Sequence, residues 1–290
     1  MKAAAFEYRA PESVEEVLEL VGSRAEDASL LAGGQSLVPM LNMRLARPEL
    51  VVDLNQVPGL DGIERRDGVI RIGGMARQRT VEVHPEIRRE LPLVPAALAH
   101  VAHLAIRSRG TIGGTLAHAD PSAELPAVVA ALGGAIQLCS RSGRRTVPAK
   151  DFFVAPLITA RESGELVEAV ELPVPRSGTG WAFLEMARTH GAFAMAGVAA
   201  LIGLDPGGAV NRASAALLGV QGTPVVLDWL EEALSGQPLT DDALDAVGKR
   251  LADELAPYED VHASTSYRRR VAVTLTLRAL REAGERAEWP

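Results

Sequence analysis

Two short segments of this chain carry residue types suited to holding phosphate. Ala32-Gly33-Gly34-Gln35-Ser36, leading into Leu37, and Thr111-Ile112-Gly113-Gly114-Thr115 each follow apolar sequence and precede a helix or turn signal. Glycine lacks a Cβ, so a phosphate can approach the backbone N–H groups closely. Ser36, Thr111 and Thr115 add hydroxyl donors. Two such loops can hold a pyrophosphate from two sides, which suits a chain of net charge −7 without an obvious phosphate-binding lysine. A pair of tight turns is the plain alternative for the same residues. Gly33-Gly34 is followed by Gln35-Ser36-Leu37, so the Gly-x-Gly-x-x-Gly fingerprint fails, and no Gly-Lys-Ser/Thr occurs. A nucleotide bound here sits in neither a Rossmann nor a P-loop fold.

Other chemistry-bearing residues are sparser. His100 and His103 lie one helical turn apart, but no third ligand is in sight, and a solvated or packed helix face accounts for them. Arg107 and Arg109 flank the second loop, either as solvated charge or as partners for phosphate or for an acidic surface. His118 and Asp120 follow the loop as a turn and an N-cap. The single cysteine, Cys139, lies in an apolar strand and reads as a small buried hydrophobe. One cysteine excludes an internal disulfide, a four-cysteine iron–sulfur cluster and a cysteine-rich zinc site held by this chain alone. The aromatic residues from Trp181 to Phe193 read as core.

The elements that must position these residues follow from patterning. A length of 290 residues suggests about two domains, or three small ones. Ser13 to Glu16 has capping-box spacing, and Val14, Val17, Leu18 and Val21 share one helical face ending at Gly22. Residues 29–32 and 50–54 read as strands, giving a small α/β unit. Residues 69–72, 135–140 and 166–172 read as strands of a second unit, with helix from Pro92 to His103. Asp120 as N-cap and Pro121 as first helical residue start another helix, with Leu125, Val128, Val129 and Leu132 on its buried face. Residues 173–180, rich in Pro, Gly and Ser, form a linker. Beyond it, residues 181–187, 192–204 and 213–220 read as strands, and 239–256 and 267–283 as helices, the last ending at Gly284. The acidic balance gives no pull toward nucleic acid or an anionic membrane surface. The opening residues hold no apolar signal-type core, and residues 125–138 are too short to span a bilayer. A cytoplasmic protein, or one peripheral at the inner face of a membrane, is expected.

In this order the motifs resemble a known family. Residues 32–40, then 44–48 and 52–54, resemble the first FAD loop of the molybdenum hydroxylases, the relatives of xanthine dehydrogenase and aerobic carbon monoxide dehydrogenase. Ile106-Arg107, residues 110–114 and residues 120–124 resemble their second loop. Gly164-Glu165-Leu166, Leu172-Pro173, Tyr267-Arg268 and Arg278-Ala279-Leu280 also fit. The resemblance is to the FAD-binding medium subunit. It implies an α+β chain: a two-part vanillyl-alcohol-oxidase (PCMH) type FAD-binding fold, at 1–57 and 58–175, and a small C-terminal α/β domain, at 176–290.

The resemblance also implies roles. Residues 32–36 and 111–115 wrap the pyrophosphate of a non-covalent FAD. Glu124, where the family often has Asp, reaches the adenosine. Leu166 and Val167 pack against the cofactor. Phe193 lies near the isoalloxazine ring, but Ala192 stands where the family usually has Asp. Molybdenum–pterin and [2Fe–2S] clusters then belong to a large and a small partner subunit, assembled as a dimer of heterotrimers, with an external electron acceptor. No general acid or base is implied on this chain, and the substrate pocket lies on another. Three rivals are a stand-alone FAD reductase, a flavin-free interaction subunit, and a covalent flavin oxidase tethered at His118.

Overall fold

The computed structural model describes residues 2–24 and 27–287. Its first part is a three-stranded parallel sheet with Leu50–Asp53 at the centre, flanked by Glu7–Arg9 and Ala28–Leu31. The helix Val14–Ser23 crosses between the two outer strands. Ser13 caps it, its Oγ accepting the Glu16 N–H at 3.1 Å, and Val17, Leu18 and Val21 are buried. Glu16 Oε2 accepts the Glu12 N–H at 3.1 Å, one residue before the position a capping box uses, so the Ser13 cap and the apolar face act together to set one helix on one sheet.

The second part is a five-stranded antiparallel sheet in the order Ile63–Arg66, Val69–Gly73, Leu166–Pro173, Ala135–Ser140, Gly143–Pro148. Along the chain, a run of short helices from Gln78 to Ala131 connects Val69–Gly73 to Ala135–Ser140. Two of these, Gln78–Val83 and Pro85–Glu90, have no clear apolar period, and sequence patterning does not find them. The expected helix from Pro92 to His103 is shorter, Leu93–Leu98, and gives way to turns in which Ala102 takes φ +42°.

The third part is a four-stranded antiparallel sheet, Gly180–Met186, Ala196–Leu204, Val210–Leu218 and Val225–Val226, backed by the helices Asp241–Glu254 and Thr265–Arg286. Ala196–Leu204 is apolar throughout because both of its faces are covered. Val198, Ala200 and Ile202 join a cluster with the two C-terminal helices, while Ala199 and Leu201 join the central core shared with the second part. Three expectations are corrected here. The strand expected from Ala192 begins at Ala196, leaving Gly191–Met195 as a loop. The last helix does not stop at Gly284 but runs to Arg286. Phe193 is not core: it is 76% exposed.

A further correction concerns the helix expected at Asp120. It starts at Glu124 and runs to Ala131. Asp120 Oδ1 accepts the Ser122 N–H at 2.8 Å, closing a local turn, and the Pro121 carbonyl accepts the Gly219 N–H at 2.8 Å from the C-terminal sheet. Those bonds hold 120–123 out of the helix. The helix is buried on every side, not along one stripe, because it packs between the central core and the C-terminal sheet. Ser214 Oγ donates to the Ala131 carbonyl at 2.7 Å and fixes its other end.

Candidate functional site: a cavity along the two glycine loops

A cavity of about 1240 Å³ runs from the first part, past both glycine loops, to the C-terminal sheet. Drug-sized pockets span about 300–1,000 Å³, so this one suits a dinucleotide-sized ligand. Ala32, Gly33, Gly34, Gln35, Ser36 and Leu37 line it, as do Thr111, Gly113, Gly114 and Thr115. Glu124, Leu166, Val167 and Phe193 line it too. Ile112 does not line it; its side chain is buried in the central core.

The loops touch. A Cβ on Gly33 would overlap the carbonyl oxygen of Arg109, so only glycine lets the first loop lie against the second. Arg77 Nη1 donates to the same carbonyl, and Arg77 Nη2 donates to Asn55 Oδ1 at 2.5 Å. Asn55 Nδ2 in turn donates to the Ala32 carbonyl at 3.0 Å. Burial and the neighbouring Arg109 charge pull the Arg77 guanidinium below its usual range.

The two loops offer different things. In the second, the backbone donors after Thr111 are taken: Ile112 N–H by Ala76, Gly113 N–H by Gly74, Thr115 N–H by Thr111 and Gly114 N–H by the Thr111 hydroxyl at 3.0 Å; among the described residues only the Thr111 N–H has no acceptor. Thr115 Oγ1 donates to the Thr111 carbonyl at 3.1 Å and accepts from Gln78 Nε2 at 2.8 Å. In the first, among the described residues, no protein group accepts from the N–H groups of Gly33, Gly34, Gln35 or Ser36. Four consecutive free donors beside a close-packed wall make an anion cradle. Gln78 and Arg161 also line the cavity and escaped the sequence reading. Arg161 donates to the Glu165 carbonyl at 2.7 Å, and burial draws its guanidinium below the usual range. Its signal in the sequence is only one arginine in a polar turn.

At the far end, Arg107 is neither solvated nor at a phosphate. It is buried, pairs with Glu82 at 3.0 Å and donates to the carbonyls of Val101 at 2.8 Å and Ala102 at 3.3 Å. Burial pushes the Glu82 carboxyl up, but hydrogen bonds from Arg79 and Arg107 outweigh it and hold the carboxyl below its ordinary value. Gly191, at φ +77°, lies against Ala102: a Cβ there would come within 2.7 Å of its carbonyl oxygen. Arg268 is 1% exposed and donates to the carbonyls of Met195 at 2.7 Å and Gly219 at 2.5 Å, while pairing with Asp260 at 2.5 Å. The loop 191–195 is thereby clamped from both sides.

Glu124 belongs to this far end, not to the Leu166 end. Its carboxyl is buried, and burial pushes it up to about 8, with the nearby carboxylates of Glu185 and Asp120 adding to the rise. This carboxyl, held well above the ordinary carboxylate range, lines the cavity. Leu166 instead packs with Val17, Val21 and Cys139 in the first part's core. Burial and then Glu168 raise the Cys139 thiol. His100 packs on Phe183, with ring centroids 5.3 Å apart. His103 caps the helix Leu104–Arg107 without a side-chain bond. Among the described residues, no group of three or more His, Cys, Asp or Glu could hold a metal.

A mixed helix-and-strand fold in three parts, with a dinucleotide-sized cavity along an anion cradle, suits a protein that holds a nucleotide cofactor by neither a Rossmann nor a P-loop motif. Residues 4–175 match the FAD binding domain in molybdopterin dehydrogenase, and residues 181–283 the CO dehydrogenase flavoprotein C-terminal domain. The chain is 39% identical to the 6-hydroxypseudooxynicotine dehydrogenase complex subunit alpha of Paenarthrobacter nicotinovorans, covering 99% of this chain and 97% of that one. It is 37% identical to the caffeine dehydrogenase subunit beta of Pseudomonas sp. (strain CBB1), with the same coverage. A carbon monoxide dehydrogenase structure from Hydrogenophaga pseudoflava superposes with a TM-score of 0.96 at 36% identity, covering 99% of this chain and 100% of that one. The chain belongs to the FAD-binding medium subunits of the molybdenum hydroxylases, the family of the carbon monoxide dehydrogenase medium chains. It is an oxidoreductase subunit, and its cofactor is FAD.

Proposed function

We propose that this chain is the electron-exit subunit of a three-component molybdenum hydroxylase. Substrate is oxidised at a molybdenum–pterin site on a large subunit, electrons pass through [2Fe–2S] clusters on a small subunit, and they leave through this chain to an external acceptor. The observation that carries this reading is the cradle of free N–H groups on the first loop, set in a cavity large enough for a dinucleotide. The single, buried Cys139 supports it, since the clusters then need another chain. Bound FAD supplies one- and two-electron transfer.

The residues of this chain bind and orient. The N–H groups of 33–36 hold the pyrophosphate, and Thr111 and the wall of the second loop confine it. Val21, Leu166 and Val167 pack on the adenosine side, where Arg161 adds positive charge. The clamped loop 191–195, with Phe193, and the turn at Val101-Ala102 bound the flavin ring. On this arrangement Glu124 serves the ring end of the cofactor, a change from the adenosine role the resemblance implies. The chain divides at about 57 and 175, and the complex is a dimer of heterotrimers. It works in the cytoplasm or at the inner face of a membrane; among the described residues, no helix is long and apolar enough to cross one.

The test is release of the cofactor. Purified protein is expected to be yellow and to give up FAD to the supernatant on denaturation. Colour that stays with the precipitate points to the covalent oxidase, and colourless protein that takes up no added FAD overturns the reading.

A further inference from the structure

The ring end of the cavity holds a group of titratable side chains that binding FAD does not require. Glu124 opens its helix and lines the cavity. Glu185, on the strand Gly180–Met186 of the C-terminal sheet, lies close enough for its charge to act on Glu124. The Glu185 side chain is 4% exposed, and its Oε2 is buried without a hydrogen-bond partner among the described residues. Its Oε1 lies 3.2 Å from His100 Nδ1. The His100 side chain is 36% exposed, and its ring centroid is 6.3 Å from that of His190. A half-exposed imidazole thus contacts a buried carboxyl that has a free oxygen, and that carboxyl lies within electrostatic range of a carboxyl in the cavity.

We propose that His100, Glu185 and Glu124 form a proton-delivery line from solvent to the flavin ring. This rests on the reading of the cavity as the FAD site. Flavin reduction takes up two electrons and two protons. The electrons come from a reduced iron–sulfur partner, and this line supplies one of the protons. With FAD bound there, Glu124 would give its O–H proton to the ring as it is reduced. Its carboxylate is refilled across bridging water from Glu185, which takes a proton from His100 Nδ1–H. His100 regains a proton from solvent, so each reduction moves one proton inward and leaves the three side chains unchanged.

The surroundings fit a donor held ready. Burial first, then Glu185 and Asp120, keep the Glu124 proton in place up to about pH 8, while its own N–H and Arg107 oppose them. Arg107 is occupied by Glu82, which Arg79 also pairs, so it does not neutralise Glu124 directly. His100 is faced by Glu185 and His190, and Phe183 holds its ring. A structural ion pair would need neither the free Glu185 oxygen nor the unbalanced carboxyl at 124.

The test uses the full chain loaded with FAD. Reduced methyl viologen delivers electrons without protons, and a pH-indicator dye follows uptake in a stopped flow. Flavin absorbance before mixing reports loading, so a chain that takes no FAD fails the cofactor reading and not this one. With loading equal to that of the unsubstituted chain, His100→Ala and Glu185→Gln are each expected to slow proton uptake about tenfold or more. Added imidazole is expected to restore the His100→Ala rate, which a packing role for the ring does not predict. In the infrared, the FAD-free chain at pH 7 is expected to show a protonated-carboxyl band that Glu124→Gln removes. Uptake unchanged in both loaded variants, or a band that persists in Glu124→Gln, overturns the proposal.

Discussion

Gly33 lies against the carbonyl oxygen of Arg109, and this contact brings the two glycine loops to one wall of the cavity. Any side chain at 33 must push the loops apart at backbone, where little can give. Gly33→Ala is expected to cost about 1–3 kcal/mol of stability, the range for overpacking. It should weaken FAD binding at least as much, because the N–H groups of 33–36 move with the loop. Fluorescence titration of the FAD-free chain, beside its thermal unfolding, separates the two effects.

Thr111 carries a smaller but distinct load. Its hydroxyl accepts the Gly114 N–H and caps the helix Ile112–His118. Thr111→Val keeps the shape and loses the cap. A loss of about 1–2 kcal/mol is expected in denaturant unfolding. Thr111→Ser should recover most of it.

Glu124 gives the FAD-free chain a pH signature. In the unfolded chain this carboxyl ionises near its ordinary value of 4.5, and in the folded chain burial holds the proton up to about 8. Between those values the folded state carries one more proton, so stability falls as pH rises. The contribution levels off below 4.5 and above about 8. Each tenfold change in the ionisation constant is worth about 1.4 kcal/mol, so the span amounts to a few kcal/mol. Glu124→Gln should flatten this fall and be the more stable chain at pH 8. Equal slopes in the two chains would show that Glu124 is ionised in the fold.

Arg268 is the most deeply held charge in the cavity wall. Three oxygen partners on three segments meet its guanidinium, and Tyr258 stacks on it with the centroid 4.3 Å away. Arg268→Met leaves the Met195 and Gly219 carbonyls and Asp260 without their donor. A loss of about 3–5 kcal/mol is expected, the range for breaking a buried pair from one side. Arg268→Lys should rescue little, since one ammonium cannot reproduce the planar fork.

Much of this architecture is written in local pattern. The helix Val14–Ser23 is visible in Ser13, Glu16 and the Val17–Val21 face because its cap and its packing are both short-range. The glycine pairs are visible because few residues tolerate such close approach. What escapes is contact at long sequence distance. The start of the helix at Glu124 is set by a bond from Pro121 to Gly219, nearly a hundred residues away, and sequence sees only a good cap at Asp120. His100 looks like a lone histidine until Glu185 arrives from the C-terminal sheet. Arg107 beside a phosphate-type loop suggests phosphate, yet Glu82, hidden in a helix with no apolar period, takes it. The raised carboxyl at 124 depends on a helix covered on all sides, which a one-stripe apolar pattern does not foretell.

Electron flow is tested most directly by mixing. The FAD-loaded chain, combined with its iron–sulfur and molybdenum partners under anaerobic conditions, is reduced by adding electrons to the clusters, and flavin and cluster absorbance are followed together. The flavin is expected to bleach after the clusters and to recolour first when acceptor is added. Removing FAD should leave the clusters reducible but abolish transfer to the acceptor. Acceptor reduction at an undiminished rate by the FAD-free complex would contradict an exit route through this chain.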